Sequence, residues 1–274
     1  MTTERICIIT GGGSGIGRET ALLAAEEGFM VILAGRTVSK LTATLDIIEN
    51  HGGKAKAFQC DISDLSEVKA LAEFSQGLGQ IERVFHIAGV SPHMGNAEQI
   101  LKINALGTIN MHCVFINYLT ENGCLIDTSS TSAYLTPRIV MPRRHYKLIY
   151  ANQEKCLQKI MRFINLFPKS TRSGLAYAIS KDFVIWLAKD HASDFGKKKL
   201  RVLSITPGNF ETPMGKLEEQ EADKYLKYNA IKRPGKPLEI AKLYMSLSDK
   251  SVGYLTGTDI LCDGGCIAGG AKVF

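Results

Sequence analysis

The chain has no long apolar run. Nowhere in its 274 residues is there a stretch near the about eighteen apolar positions that a membrane-crossing helix needs. The opening Met1-Thr2-Thr3-Glu4-Arg5 leads into an apolar stretch too short for a secretion signal. A cytoplasmic protein without a transmembrane segment is expected. Cysteine is present but unorganised: seven residues, at 7, 60, 113, 124, 156, 262 and 266, with no C-x-x-C pair. An odd, scattered set excludes a disulfide framework, favours reduced thiols and gives no metal site to expect. Repeats, low-complexity tracts and linkers are also missing, so one domain, 1–274, is expected. Hydrophobic residues make up 45% of the chain, enough for a substantial core, which excludes disorder.

Acids are nearly absent from one segment. Between Tyr134 and Ser173 stand Arg138, Arg143, Arg144, Lys147, Lys155, Lys159, Arg162, Lys169 and Arg172, against Glu154 alone. These nine bases and one acid give +8, so the rest of the chain carries −2 of the total +6. The protein is near neutral with one basic insert, and no nucleic-acid partner is expected of it.

What is present is an alternation. Residues 5–10 form a fully apolar strand, followed by glycines and an apolar-periodic helix over about 16–27. Further strands are read at 30–34, 54–59, 83–87, 124–128, 200–206 and 258–262. Helices are read at about 38–50, 97–119 and 175–195, with another opened by Asp64 and Glu67 as a capping box. Buried strands separated by helices imply an α/β fold: a Rossmann-type, doubly wound parallel sheet flanked by helices, with ligands at the strand carboxyl ends.

Thr10-Gly11-Gly12-Gly13-Ser14-Gly15-Ile16-Gly17 follows the first strand and opens the first helix. Glycine lets a diphosphate approach the backbone, and the helix start offers free N–H groups to it. The spacing is G-x-x-x-G-x-G, not the usual G-x-G-x-x-G. No acid ends the second strand, where one would bind the ribose 2′-OH of NAD. Arg36 stands there instead and favours the 2′-phosphate of NADP(H), with NAD(H) left open. Ser14 adds no second cation.

Tyr177 and Lys181 are four residues apart in a predicted helix, so both side chains share one face. An ammonium beside a phenol favours phenolate, which suits proton transfer near neutral pH. The spacing alone does not select this pair, because Tyr228 and Lys232 repeat it. Order along the chain does: Tyr177 follows the fifth strand, whereas Tyr228 lies in an apparent flap over 209–235 and reads as surface helix.

With these motifs in order, the chain resembles the short-chain dehydrogenase/reductase family over its whole length apart from the insert. Further matches are Asp61-Ile62, Ala88-Gly89, Asn104, Ser129-Ser130, Pro207-Gly208 with Thr212, and Tyr254 to Gly257 with Asp263-Gly264-Gly265. The resemblance implies that Tyr177 is the acid/base and that Lys181 lowers its pKa and binds the nicotinamide ribose. It implies that Ser130 hydrogen-bonds the substrate oxygen and that Asn104 holds Lys181 through a water. Gly11, Ser14, Gly15, Ile16, Gly17, Arg36, Asp61, Ile62, Ala88, Gly89, Pro207, Gly208 and Thr212 would bind the cofactor with Tyr177 and Lys181. Ser130, Ser132, Phe210 and Met214 would meet the substrate. One departure is His86-Ile87 in place of two asparagines, which puts local hydrogen bonding in doubt.

The larger departure is the insert, about 134–173. Leu157, Ile160, Met161 and Ile164 recur at helical spacing with Lys155, Lys159 and Arg162 between them, an amphipathic helix with a basic face. It leaves and returns beside Ser130 and Tyr177. A stabilising flap, a lid steering an anionic apolar substrate and membrane-surface contact all fit it. Family members commonly form homodimers or homotetramers through the neighbouring helices, which the insert would block or replace. The chain looks most like bacterial hydroxysteroid dehydrogenases, with a basic lid over a pocket of Phe210, Met214 and Leu217. The expected activity is NADP(H)-linked interconversion of a secondary alcohol and ketone on a hydroxysteroid or bile acid. The alternatives are a 3-oxoacyl-thioester or general carbonyl reductase, and a dinucleotide sensor without turnover.

Overall fold

The computed structural model describes residues 4–217 and 224–272. Seven strands form one sheet: β1 Arg5–Thr10, β2 Met30–Gly35, β3 Lys54–Gln59, β4 Gln80–His86, β5 Leu119–Thr128, β6 Arg201–Pro207 and β7 Asp259–Cys262. Their order is β3-β2-β1-β4-β5-β6-β7, and every pair is parallel. The strand order reverses between β1 and β4, which opens the crevice where doubly wound sheets bind ligands.

Apolar runs form these strands because both faces are covered. Ile6 and Ile8 pack on one side with Val68 and Leu71 of α3 (Leu65–Leu78) and Met111 and Phe115 of the segment Gly107–Phe115. Cys7 and Ile9 pack on the other with Ala21 and Ala24 of α1 (Gly15–Glu26) and Ile48 of α2 (Val38–Asn50). The helix expected at 64 starts as read, since Asp64 accepts from the backbone N–H groups of Ser66 and Glu67. The capping box is only half made: the Glu67 carboxylate accepts from Asp61 N–H at 2.7 Å instead.

The single helix read at 97–119 is three pieces: α4 (Ala97–Leu101), a π turn over Lys102–Leu106, and α5 (Gly107–Phe115). Such turns widen a helix by one residue and often mark functional positions; this one carries Asn104. The helix read at 175–195 is longer at its start and broken near its end. The elements there are α6 (Ser132–Leu135), α7 (Leu148–Ala151), α8 (Gln153–Ile164), α9 (Arg172–Asp190) and α10 (Ala192–Lys197). Short α11 (Pro213–Leu217) and then α12 (Pro237–Ser248) complete the helices that matter here. The expected flap over 209–235 falls partly outside the described residues, at 218–223.

The insert builds a core of its own. Asn152 caps α8 by accepting from Lys155 N–H at 2.7 Å. The apolar face then buries Cys156, Leu157, Ile160 and Ile164 against Ile100 and Leu101 of α4 and Ala176, Ile179 and Phe183 of α9. Full burial of each such aliphatic side chain stabilises by about 2 kcal/mol. The segment is therefore packed onto the helix that carries Tyr177 and is no loose flap. Among the described residues no helix is long and apolar enough to cross a membrane.

Candidate active site

Ser130 follows the carboxyl end of β5, and α9 lays Tyr177 and Lys181 beside it. Tyr177 is 9% exposed and Lys181 5%. The Lys181 ammonium donates to the Thr128 carbonyl at 2.9 Å and stands 5.7 Å from the centre of the Tyr177 ring. Ser129 Oγ donates to the Lys181 carbonyl at 2.8 Å, tying α9 to β5 at this point. Among the described residues Ser130 Oγ accepts only a long bond, 3.3 Å, from Ser132 N–H. Its proton is thus available to a ligand in the cavity.

Asn104 is buried behind this cluster. Its Oδ1 accepts from Val90 N–H at 2.9 Å, and its Nδ2 donates to the Val90 carbonyl at 3.0 Å and to Ser180 Oγ at 3.2 Å. A methyl group on Gly89 would lie 3.2 Å from Asn104 Oδ1 and 3.3 Å from Lys181 Nζ. Glycine at 89 therefore leaves room in which the two side chains approach one another.

His86 repairs the hydrogen bonding that the missing asparagines put in doubt. Thr10 Oγ1 accepts from the N–H groups of Ile87 and Ala88, both at 3.1 Å, so its own proton goes to His86 Nδ1 at 2.9 Å. His86 Nε2 then donates to Thr108 Oγ1 at 3.2 Å, and Thr108 donates to the Asn104 carbonyl at 2.6 Å. One imidazole ties β1, β4 and the π turn together. Burial above all pushes its pKa down to about 4, with the Lys181 and His112 charges acting in the same direction and Asp127 opposing, so it is neutral. A second buried histidine, His112, contacts Asp127 Oδ2 at 2.7 Å through Nε2 and His191 Nδ1 at 2.9 Å through Nδ1.

The glycine loop fits a dinucleotide diphosphate. Gly11 and Gly15 take the left-handed φ values of 72° and 53°, and a methyl on Gly17 would lie 2.2 Å from the Gly11 carbonyl oxygen. Ser14, at the N-cap of α1, makes no side-chain cap, so its hydroxyl does not occupy the N–H groups of the first turn. Gly15 also packs on Thr212, which brings the loop after β6 over the glycine loop.

A cavity of about 810 Å³ joins these parts. Gly11, Ser14, Gly15, Ile16, Gly17, Ala88, Gly89, Pro207, Gly208 and Thr212 line one end. Ser130, Tyr177 and Lys181 lie in its middle, with Ser132, Phe210 and Met214 beyond. Four expected site residues are not in its wall. Asn104 is screened by Gly89. Arg36 is exposed at the end of β2, and Asp61 and Ile62 follow β3 further out along the sheet. The Asp61 carboxylate binds Ser63, and Ile62 is buried against Gly107, so neither side chain points at the catalytic end. Leu217, expected in the pocket, is 57% exposed and does not line it.

The insert does reach the cavity, but not with its charge. Leu135, Val140 and Phe167 stand in the wall, and among the described lining residues the sole charged side chain is Lys181. The expected basic lid finds no insert cation in the described wall; what the insert contributes there carries no charge.

One cation went unread in the sequence. A methyl on Gly13 would lie 2.8 Å from Lys40 Cβ, which sets exposed Lys40, in the first turn of α2, beside the glycine loop and four residues after Arg36. Arg36 precedes the helix and Lys40 lies inside it, so helical spacing gave no signal for the pair. Tyr228 and Lys232 also differ from the reading: they lie in a turn and an irregular segment, not on a helix.

Residues 5–142 match the short chain dehydrogenase family, and residues 167–266 match a family described as enoyl-(acyl carrier protein) reductase. The unmatched stretch between them, 143–166, contains α7 and α8. An uncharacterized oxidoreductase of Bacillus subtilis is 30% identical over 97% of this chain and 92% of its own length. The 3-oxoacyl-[acyl-carrier-protein] reductase of Thermotoga maritima is 27% identical, covering 96% and 98%. The 7alpha-hydroxysteroid dehydrogenase of Escherichia coli is 25% identical, covering 95% and 93%. A short chain dehydrogenase from Burkholderia cenocepacia, solved in complex with NADP, superposes with a TM-score of 0.77 at 22% identity, covering 96% and 98%. Sheet order, glycine loop and family matches agree: the chain belongs to the short-chain dehydrogenase/reductase family and is an NAD(P)-dependent oxidoreductase.

Proposed function

We propose that the chain interconverts a secondary alcohol and a ketone on an apolar carbocyclic substrate of hydroxysteroid type, with NADP(H) as its preferred cofactor. The cavity carries this reading. It is large enough for a fused-ring ligand and joins the glycine loop to Ser130 and Tyr177. Its far wall is apolar, with Val140, Phe167, Leu175, Phe210 and Met214. Among the described lining residues a carboxylate finds no cation except Lys181, so a neutral ring system fits better than the bile acid side chain. The Escherichia coli 7alpha-hydroxysteroid dehydrogenase supports the substrate class by likeness.

The nicotinamide, when bound, supplies or accepts the hydride. The chain's own residues handle the rest. Tyr177 gives a proton to the ketone oxygen or takes one from the alcohol. The Lys181 ammonium favours the phenolate form, which makes that transfer possible near neutral pH. Ser130 donates a hydrogen bond to the oxygen on which charge develops. Asn104 fixes the space beside Lys181 through its bonds to Val90 and Ser180. Arg36 and Lys40 form a cationic edge for a 2′-phosphate. Seven unpaired cysteines suit a reducing cytoplasm.

The test is a panel of neutral steroid ketones and alcohols, cyclohexanol and 3-oxoacyl thioesters, each run with NADH and NADPH. Turnover of a steroid with a higher kcat/KM for NADPH is expected. Thioester reduction without steroid turnover would replace this reading with that of the Thermotoga maritima relative. Cofactor binding without turnover across the panel would favour a sensor.

A further inference from the structure

One cation of the basic insert is turned inward. Arg143 Nε donates to Asp182 Oδ2 at 2.9 Å, and its Nη2 donates to Asp182 Oδ1, a two-pronged ion pair. Asp182 directly follows Lys181 on α9 and is 1% exposed. Tyr146, also of the insert and fully buried, shares its single hydroxyl proton between Asp182 Oδ2 at 3.0 Å and the Ile179 carbonyl at 3.2 Å. Its ring stands edge-on to Phe183 of α9 at 5.2 Å. Three insert-to-helix bonds therefore converge on one buried carboxylate. Of the described ion pairs, this is the one that involves an insert cation.

The pair lies close to the substrate wall in sequence. Val140 and Leu135 line the cavity, and buried Met141 and Pro142 are all that separate Val140 from Arg143. The returning limb of the insert is held by a second arginine. Arg172 donates to the Phe167 and Asn165 carbonyls, both at 2.9 Å, and Phe167 lines the same cavity. Each limb thus carries an apolar wall residue and an arginine that fixes it.

We propose that Arg143 is a specificity-determining residue: through Asp182 and Tyr146 it latches the 135–143 limb onto the catalytic helix, and so sets the shape of the substrate cavity. The proposal rests on the reading that this cavity receives the alcohol or ketone. Arg143 touches no reacting atom. The latch selects among substrates by how much wall they contact. A large fused-ring substrate fills the cavity to Val140 and Phe167, whereas a single ring meets only the catalytic middle.

The experiment compares Arg143→Met, Arg143→Lys and Tyr146→Phe with the wild type, full chain throughout, on a neutral hydroxysteroid and on cyclohexanol. For Arg143→Met the steroid kcat/KM should fall at least tenfold through KM, while that of cyclohexanol changes less than twofold and the pH profile of kcat stays in place. Tyr146→Phe, which removes one hydroxyl, should show a smaller loss of the same kind. Arg143→Lys keeps the charge but not the two-pronged geometry and should rescue part of the loss. Equal losses on both substrates, or a shifted pH profile, would overturn the proposal, because the pair would then act on Tyr177 and Lys181. Hydrogen exchange of the wild type and Tyr146→Phe separates this outcome from a wrong function. If neither substrate is turned over by the wild type, the alcohol/ketone reading fails on its own. Faster exchange at 135–143 in Tyr146→Phe would still support the latch, and unchanged exchange there would overturn it.

Discussion

Tyr177 and Lys181 lie four residues apart, and so do Tyr228 and Lys232. The first pair sits on α9, where the Lys181 ammonium reaches the Thr128 carbonyl at the end of β5 and stands over a cavity shared with Ser130. The second lies in irregular chain, where the Lys232 ammonium is exposed and donates to the Lys227 carbonyl five residues back. No helix aligns that pair. What separates the two is the surroundings: a helix to fix the angle, a strand end to hold the ammonium, and a cavity to admit a carbonyl.

The sharpest way to break this comparison is to remove each hydroxyl. Tyr177→Phe should lower kcat by about 10²- to 10⁴-fold, the range of a lost general acid. Tyr228→Phe should leave kcat within about twofold, as surface changes usually do. Steady-state kinetics with NADPH and the best ketone reads both. Equal effects would mean that the pairs had been assigned the wrong way round.

The lysines should differ next. Lys181→Met removes the charge beside the Tyr177 phenol, so kcat should fall by about 10²-fold and the pH limb for alcohol oxidation should move upward. Lys232→Met should do neither. A pH profile that stayed in place for Lys181→Met would show that the lysine only positions a ligand.

Arg36 and Lys40 sharpen the comparison at the other end of the site. Losing a charge-assisted bond to a 2′-phosphate costs about 1.5–3 kcal/mol, or about 10- to 100-fold. Arg36→Ala should therefore raise the KM for NADPH by about that factor and leave the KM for NADH nearly unchanged. Lys40→Ala should act in the same direction but more weakly, since its side chain is the more freely hydrated ammonium. An equal effect on both cofactors would remove Arg36 from phosphate recognition.

The same contrast explains what the sequence makes legible. Strands such as Arg5–Thr10 and Met30–Gly35 are apolar on both faces, so composition alone marks them. β5 starts at Leu119, earlier than read, because Thr120 to Asn122 are polar and interrupt the apolar run, Glu121 and Asn122 being exposed. The helix at 97–119 breaks at Asn104 because a π turn leaves no mark in apolar spacing. Charge is counted easily but has no direction in sequence. Nine bases in the insert suggest a basic lid, yet Arg143 turns inward to Asp182, Arg172 binds backbone, and none of the nine is among the described residues of the cavity wall. The clustering of Ser130, Tyr177 and Lys181 was readable because order along the chain stands in for order along the strand ends.

The buried layer beneath the first pair predicts an acid sensitivity. His86 has a folded pKa of about 4 against an ordinary value of 6.5, chiefly because burial disfavours the imidazolium. The unfolded chain therefore binds this proton more readily than the folded one. Stability from His86 is fully present above pH 6.5 and is lost as pH falls toward about 4. Between pH 7 and pH 5 the loss is about 2 kcal/mol. Urea denaturation at the two pH values reads it. His86→Asn keeps hydrogen-bonding groups facing Thr10 and Thr108 but cannot be protonated, so its stability should change less over the same interval. Its absolute stability at pH 7 need not match the wild type, since the amide spans less than the ring; the difference of slopes is the test. If the mutant and wild type lost stability equally between pH 7 and pH 5, the acid sensitivity would belong elsewhere. His191 is the next candidate, because burial and the His112 charge push its pKa down to about 4 as well.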